Sequence, residues 1–142
     1  MEKLLISACL LGENCKYNGE NNYNEAAAAL AERYELVPVC PELLGGLSVP
    51  RFPCERRGGR VLSNDPAGAK DVTEAFQRGA QRCLEKALAE GIRLAVMKAK
   101  SPSCGSGEIY DGSFSHTVVS GDGVTAELLK KNGIQVISEK EL

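Results

Sequence analysis

Four short apolar runs, each soon followed by polar, turn-forming residues, constrain this chain most. Leu4-Leu-Ile6, Glu35-Leu-Val-Pro-Val39, Ile92-Arg-Leu-Ala-Val-Met97 and Ile134-Gln-Val-Ile137 read as strands. Helical stretches lie between them. Asn24 caps an alanine-rich helix from Glu25 to Arg33. A long helix begins at Asp71 or Thr73, carries Val72, Phe76, Ala80, Cys83, Ala87 and Leu88 roughly on one face, and stops at Gly91. A third runs from Val124 or Thr125 to Asn132 and stops at Gly133. Strand, helix and strand in repetition build parallel sheets with right-handed crossovers. The expected fold is three-layer α/β, a Rossmann-like, open and mostly parallel sheet with crossover helices. Pro38 is the weak point of the second strand, because proline cannot donate to a ladder.

Between the second strand and the long helix, Leu43 to Pro53 holds too much glycine and proline for regular structure and reads as an ordered, irregular Gly/Pro-rich lid. Arg60-Val-Leu-Ser63 and the turn Asn64 to Gly68 read as a short edge hairpin or irregular strand. With 142 residues, 43% hydrophobic and 25% charged, a single domain over 1–142 can fill one core. A net charge of −2 lacks the basic excess of a general nucleic-acid binder. No run approaches membrane-spanning length and nothing resembles a signal peptide, so a cytoplasmic protein without a membrane partner is expected.

Six cysteines without an export signal argue for metal-binding or catalytic thiols over a disulfide framework. Cys9, Cys40 and Cys104 lie just beyond the carboxyl ends of predicted parallel strands. Such ends converge along one sheet edge, where three thiolates can share one inorganic centre. Cys104 stands in Ser101-Pro-Ser-Cys-Gly105, within the loop Lys98 to Gly112 that follows the third strand. Cys83 belongs to a helix face and reads as packing, and Cys54 as a spare thiol in the lid. Cys15, on the Asn- and Gly-rich loop from Glu13 to Asn22, is open either way. Paired Cys-x-x-Cys knuckles, which zinc favours, are missing, so an iron–sulfur cluster is the better reading. Three protein ligands would leave one iron open as a Lewis acid, whereas Cys15 as a fourth would close it. A catalytic disulfide would explain only two of the thiols.

Ser-Ala-Cys9-Leu-Leu-Gly, Cys15-Lys-Tyr-Asn-Gly, Val-Cys40-Pro-Glu42, Gly-Gly-Leu-Ser-Val-Pro-Arg51, Ser101-Pro-Ser-Cys104-Gly, Tyr110-Asp-Gly and Gly-Asp-Gly-Val-Thr-Ala126 together resemble a bacterial family. This is the single-domain family, long of unknown function, that includes the thiouracil desulfidases. The resemblance covers nearly the whole chain. It implies an α/β fold and an oxygen-sensitive [4Fe–4S] cluster held by three cysteines, here Cys9, Cys40 and Cys104, with an open iron that takes sulfur from a thiolated base. Aerobic handling can strip such a cluster. Asn18, Cys54 and His116 depart mildly from the family pattern and bear on substrate choice.

The reaction expected from this resemblance is non-redox desulfuration of a small thiolated base by water, releasing hydrosulfide and the oxo base. Glu42, two residues after Cys40, is placed to activate the water, and Ser101, three before Cys104, to orient it or bond the base. A salt bridge with Arg51 and a turn cap are their respective structural alternatives. Lys100 and Ser103 are candidates for holding the base, and His116 reads as a surface or loop residue. The rival functions are a non-catalytic iron–sulfur sensor or sulfur carrier, and a structural zinc protein.

Overall fold

The computed structural model describes every residue from Met1 to Leu142. In chain order the strands are β1 (Lys3–Ser7), β2 (Glu35–Val39), β3 (Cys54–Arg57), β4 (Arg60–Ser63), β5 (Lys70–Asp71), β6 (Leu94–Met97), β7 (Glu108–Tyr110), β8 (Val118–Ser120) and β9 (Gln135–Ser138). The helices are α1 (Glu25–Ala28), α2 (Pro41–Leu44), α3 (Thr73–Ala89) and α4 (Val124–Lys131).

The central sheet has the order β2-β1-β6-β9 and is parallel throughout. Strand order runs outward from β1 in one direction and from β6 in the other, which puts the topological switch point between them. Side chains alternate across the sheet with the strand period of two. Leu4, Ile6 and Val96 pack on one face with Leu10, Ala27 and Leu30. Leu5, Ala95 and Met97 pack on the other with Cys83, Leu84, Ala87 and Leu129. Both faces are covered, so the central strands β1 and β6 read as apolar runs. Leu4, Leu5 and Ile6 are each 0% exposed, and each burial contributes about 1.5–3 kcal/mol. Pro38 sits opposite Ile6 on the edge strand β2, where its missing N–H does no harm.

Helix α3 is the longest. The Asp71 carboxylate accepts from the Thr73 amide at 2.9 Å and from the Thr73 hydroxyl at 2.5 Å, which fixes its start. Those bonds hold the Asp71 carboxyl down at about 2. Phe76, Gly79, Ala80, Cys83, Leu84 and Ala87 bury one stripe. Leu88, expected on that face, is 57% exposed.

Two further sheets are small. β3, β4 and β5 form an antiparallel three-stranded sheet where one hairpin or irregular strand was expected. β7, within the loop Lys98 to Gly112, and β8, in the stretch after it where the sequence predicts no element, form an antiparallel pair. The helix expected from Glu25 to Arg33 is one α turn followed by a 3-10 turn, Ala29–Glu32. Asn24 does cap it, accepting from the Ala27 amide at 2.9 Å. Only Ala27 and Leu30 are buried on it, too narrow an apolar face to sustain a longer helix.

Helix α2 is short and presses on α3 through glycine. A Cβ on Gly79 would lie 2.0 Å from the Pro41 carbonyl oxygen, and one on Gly45 would lie 2.0 Å from that of Ala75. Gly79→Ala is expected to destabilise the protein by about 3 kcal/mol, the upper end for overpacking, since backbone cannot yield. That loss outweighs the ~1 kcal/mol that alanine gains over glycine inside a helix. Urea denaturation measures it, and a variant as stable as its parent would show that the contact is slack.

Candidate active site

Cys9, Cys40 and Cys104 follow β1, β2 and β6 on the carboxyl edge of the central sheet, and all three line one cavity of about 580 Å³. Neighbouring strands stand about 4.8 Å apart, so the three strand ends are close enough to serve one centre. A cavity of this size is usual for a small-molecule site.

Beyond β1 the residues Ala8–Leu11 coil into a 3-10 turn. The chain returns to that turn when the Asn22 amide donates to the Cys9 carbonyl and the Asn24 amide to that of Leu10, both at 3.0 Å. The loop between them folds over the strand end and buries Cys15, 5% exposed. Beyond β2, Cys40 occupies the position before α2, and Pro41 starts the helix with its φ already suited to it. Glu42 follows in the first turn. Its Oε2 accepts from Arg51 Nη2 at 3.1 Å, and the same nitrogen donates to the Cys15 carbonyl at 3.1 Å. Glu42 Oε1 is buried and has no partner.

The loop after β6 is held from three directions. Ser7 Oγ accepts the Lys98 amide at 2.9 Å, and the Glu139 carboxylate accepts that of Ala99 at 2.7 Å. The first amides of α4 donate into the loop: Gly123 to the Gly105 carbonyl at 2.8 Å, Val124 to Pro102 at 2.8 Å and Thr125 to Ser103 at 2.9 Å. These are donors that a helix start leaves without partners in the helix itself. A Cβ on Gly123 would lie 2.4 Å from the Ser103 carbonyl carbon, so glycine permits the approach. Ser101 Oγ accepts the amides of Ser103 at 3.1 Å and Cys104 at 3.0 Å. With its acceptor positions taken, that hydroxyl still has a proton to donate toward the cavity.

The thiols differ in acidity. Cys15 lies between Cys9 and Cys40, and its S–H serves one flanking sulfur at a time. Hydrogen bonding from Cys15 lowers whichever sulfur it serves, Cys9 to about 7 or Cys40 below the usual thiol range. Cys15 itself is pushed far up by the same two contacts. Burial raises Cys104 well above an ordinary thiol, and burial raises Glu42 despite the Arg51 guanidinium beside it. No three His, Cys, Asp or Glu side chains are gathered tightly enough to grip a single ion. The thiols stand around an open cavity instead.

The cavity brings together Cys9, Cys15, Cys40, Glu42, Lys100, Ser101 and Cys104. Ser103 is not on its surface: it is 0% exposed, with Oγ 2.7 Å from Thr125 Oγ1. The Glu42–Arg51 ion pair and the Ser101 turn cap are both present. Neither exhausts its residue, since Glu42 Oε1 and the Ser101 proton remain unused. Cys54 lines the cavity with Sγ 3.5 Å from the Phe52 carbonyl, and burial pushes it up to about 11. Cys83 is packed in the core, as its helix face predicted, and burial pushes it up to about 12. Sequence reading assigned no site role to Ser7, Glu55 or Phe114, carried Tyr110 only within a motif, and read His116 as a surface or loop residue bearing at most on substrate choice, yet all of them line the cavity. Ser7 had a legible signal, as the last residue of a strand ending two positions before Cys9.

A family model described as 2-thiouracil desulfurase matches residues 4–141. The chain is 44% identical over 146 residues to YbbK of Bacillus subtilis (strain 168), an uncharacterized protein, with 98% of this chain and 97% of the relative covered. Among solved structures it superposes with a TM-score of 0.92 on TudS, a [4Fe-4S]-dependent thiouracil desulfidase. The two are 44% identical, over 100% of this chain and 93% of that one.

Proposed function

The chain belongs to the 2-thiouracil desulfurase family, and from that premise we propose that it is an enzyme that converts a small thiolated base of the thiouracil type to its oxo form by water, releasing hydrosulfide. One water is consumed and one sulfur leaves, so no electrons are gained or lost. It acts as one domain over residues 1–142, and none of its helices is long and apolar enough to cross a membrane. The observation that carries the reading is the convergence of three strand-end thiols with Glu42 and Ser101 on a single cavity.

The donor set suits a [4Fe–4S] cluster. The Cys15 S–H favours ionisation of Cys9 or Cys40, Cys104 adds a third sulfur, and the cavity leaves room between them. Held by Cys9, Cys40 and Cys104 with one iron open, the cluster would supply a soft Lewis acid for a thiocarbonyl sulfur. Cys15 supports these ligands without holding the cluster, donating its S–H to Cys9 or to Cys40, one at a time.

The remaining chemistry belongs to side chains. Glu42 takes a proton from the attacking water through Oε1, the oxygen left without a partner, while Arg51 holds Oε2. Burial raises its affinity for that proton. Glu42 then returns the proton as sulfur leaves. Ser101 donates its hydroxyl proton to the water or the base. Lys100 holds the base or stabilises departing sulfur. Its ammonium makes no ion pair, whereas Lys98 is paired with Glu139 at 3.3 Å and Arg51 with Glu42 at 3.1 Å. Ser103 acts behind the surface by fixing Thr125 and the start of α4.

The test is anaerobic incubation of the reconstituted protein with 2-thiouracil and no reductant. Uracil and sulfide are expected in equal amounts. A brown protein with full iron and no sulfide release would be a non-catalytic iron–sulfur module, and a colourless one with stoichiometric zinc would remove the cluster from the account.

A further inference from the structure

One wall of the cavity comes from outside the central sheet, from the turn joining β7 and β8. Tyr110 at the end of β7 and Phe114 and His116 on the turn all line the cavity. The Tyr110 and His116 rings meet edge to face, with centroids 6.4 Å apart and planes at 83°. Core packing does not require them, since Phe114 is half-buried and His116 exposed. Their backbone is unusual too. Phe114 and His116 have φ of 56° and 59°, and with Lys100 at 65°, also on this cavity, they are the chain's only non-glycine residues with positive φ. A bulky side chain in the left-handed region is rare and persists where its surroundings hold it there.

What holds it is Glu55 on β3. Its Oε1 accepts the amide of Gly112 at 3.0 Å and that of Phe114 at 3.1 Å. Two residues along β3, Arg57 donates Nη2 to the Gly112 carbonyl at 2.7 Å. Inside the turn the Asp111 carboxylate accepts the Ser113 amide at 2.8 Å, and the Asp111 amide donates to the Thr117 carbonyl at 2.9 Å. Glu55 also lines the cavity, so two roles compete for it, handling a proton or anchoring the turn. Two amides converging on one carboxylate oxygen is the geometry of an anchor.

We propose that this turn is the surface against which the substrate ring lies, with Phe114 and the Tyr110–His116 pair as its aromatic wall, and that Glu55 is the positioning residue that latches the wall to β3. The inference rests on the function proposed above and narrows its substrates. An aromatic wall grips the face of a flat ring and leaves the thiocarbonyl at the ring edge free to reach the strand-end thiols. Planar heteroaromatic thioamides are therefore accepted, and open-chain thioamides such as thioacetamide gain nothing from the wall.

The test uses cluster-loaded protein, with 2-thiouracil for turnover, uracil as a non-reacting probe in calorimetry, and amide hydrogen exchange. Phe114→Leu is expected to weaken uracil binding and raise KM for 2-thiouracil about tenfold, the scale of losing one ring stack, with iron content and kcat near the parent. Glu55→Ala is expected to do the same and to speed exchange of the Gly112 and Phe114 amides. Glu55→Gln keeps a carbonyl oxygen able to accept both amides and is expected to restore parental KM and exchange. Were Glu55→Gln as impaired in kcat as Glu55→Ala, Glu55 would be a proton-handling group and the latch would be overturned. Parental uracil affinity and KM in Phe114→Leu would overturn the wall. If the parent binds uracil and Phe114→Leu does not, yet neither releases sulfide, the wall stands and the proposed reaction falls.

Discussion

Cys40→Ser is expected to leave the anaerobically reconstituted protein with little iron or inorganic sulfide and no activity on 2-thiouracil, whereas Cys15→Ser keeps both metal and activity. The two cysteines are neighbours in space, so the contrast rests on chemistry and not on distance. Cys40 stands at the end of β2, opposite the end of β1 that leads to Cys9, and its thiol is disposed to ionise. Serine there offers a hard hydroxyl that does not ionise at neutral pH, a poor exchange for a thiolate on iron. Cys15 is held by a loop that folds back on β1, and its contacts to Cys9 and Cys40 raise its own affinity for a proton. A serine hydroxyl can make the same donation. Iron and sulfide counts on both variants decide the matter, and a Cys15→Ser protein stripped of iron beside a fully loaded Cys40→Ser protein would reverse the assignment.

Glu42→Gln is expected to load iron as the parent does and to release sulfide ~10²–10⁴-fold more slowly, the usual loss on removing a general acid–base group. Glutamine has nearly the same shape and keeps an oxygen for Arg51, so the ion pair becomes a hydrogen bond and the loop survives. What disappears is a basic atom at the position of Oε1, the one buried side-chain oxygen or nitrogen of the chain with no partner. Ser101→Ala is a less clean probe. It removes the acceptor of the Cys104 amide and so is expected to loosen iron as well as slow the reaction. Single-turnover measurement on loaded Glu42→Gln separates the roles. A rate close to the parent would reduce Glu42 to a partner for Arg51.

The four parallel strands were legible because burial on both faces writes the central two, β1 and β6, as apolar runs and leaves β2 and β9 short apolar stretches around exposed Glu35, Pro38 and Gln135, and each strand end could then be read for what followed it. That is how Cys9, Cys40 and Cys104 came to be grouped. The small sheets were not legible for the opposite reason. Cys54-Glu-Arg-Arg57 pairs with Arg60-Val-Leu-Ser63 across Gly58-Gly59. The Gly-Gly turn was a hairpin signal, but the charged residues beside it carry little strand preference. β7 and β8 have three residues each, too few for an alternating pattern to stand out. Helix α2 escaped notice because one turn begun by proline looks like loop. Ser103, next to Cys104, lies behind the cavity surface, buried with its hydroxyl against Thr125.

The thiols and the aromatic wall stand on different parts of the architecture, and this bears on how such a protein can change. Register between parallel strands sets where Cys9, Cys40 and Cys104 emerge, and shifting one would unpack both faces of the sheet. The turn from Asp111 to Thr117 is an appendage fastened by a few hydrogen bonds to a neighbouring hairpin. Rewriting a surface turn disturbs no core packing. Appetite for new thioamide rings can therefore be acquired by transplanting this turn together with β3 from a relative, while the sulfur-removing apparatus beneath is inherited unaltered.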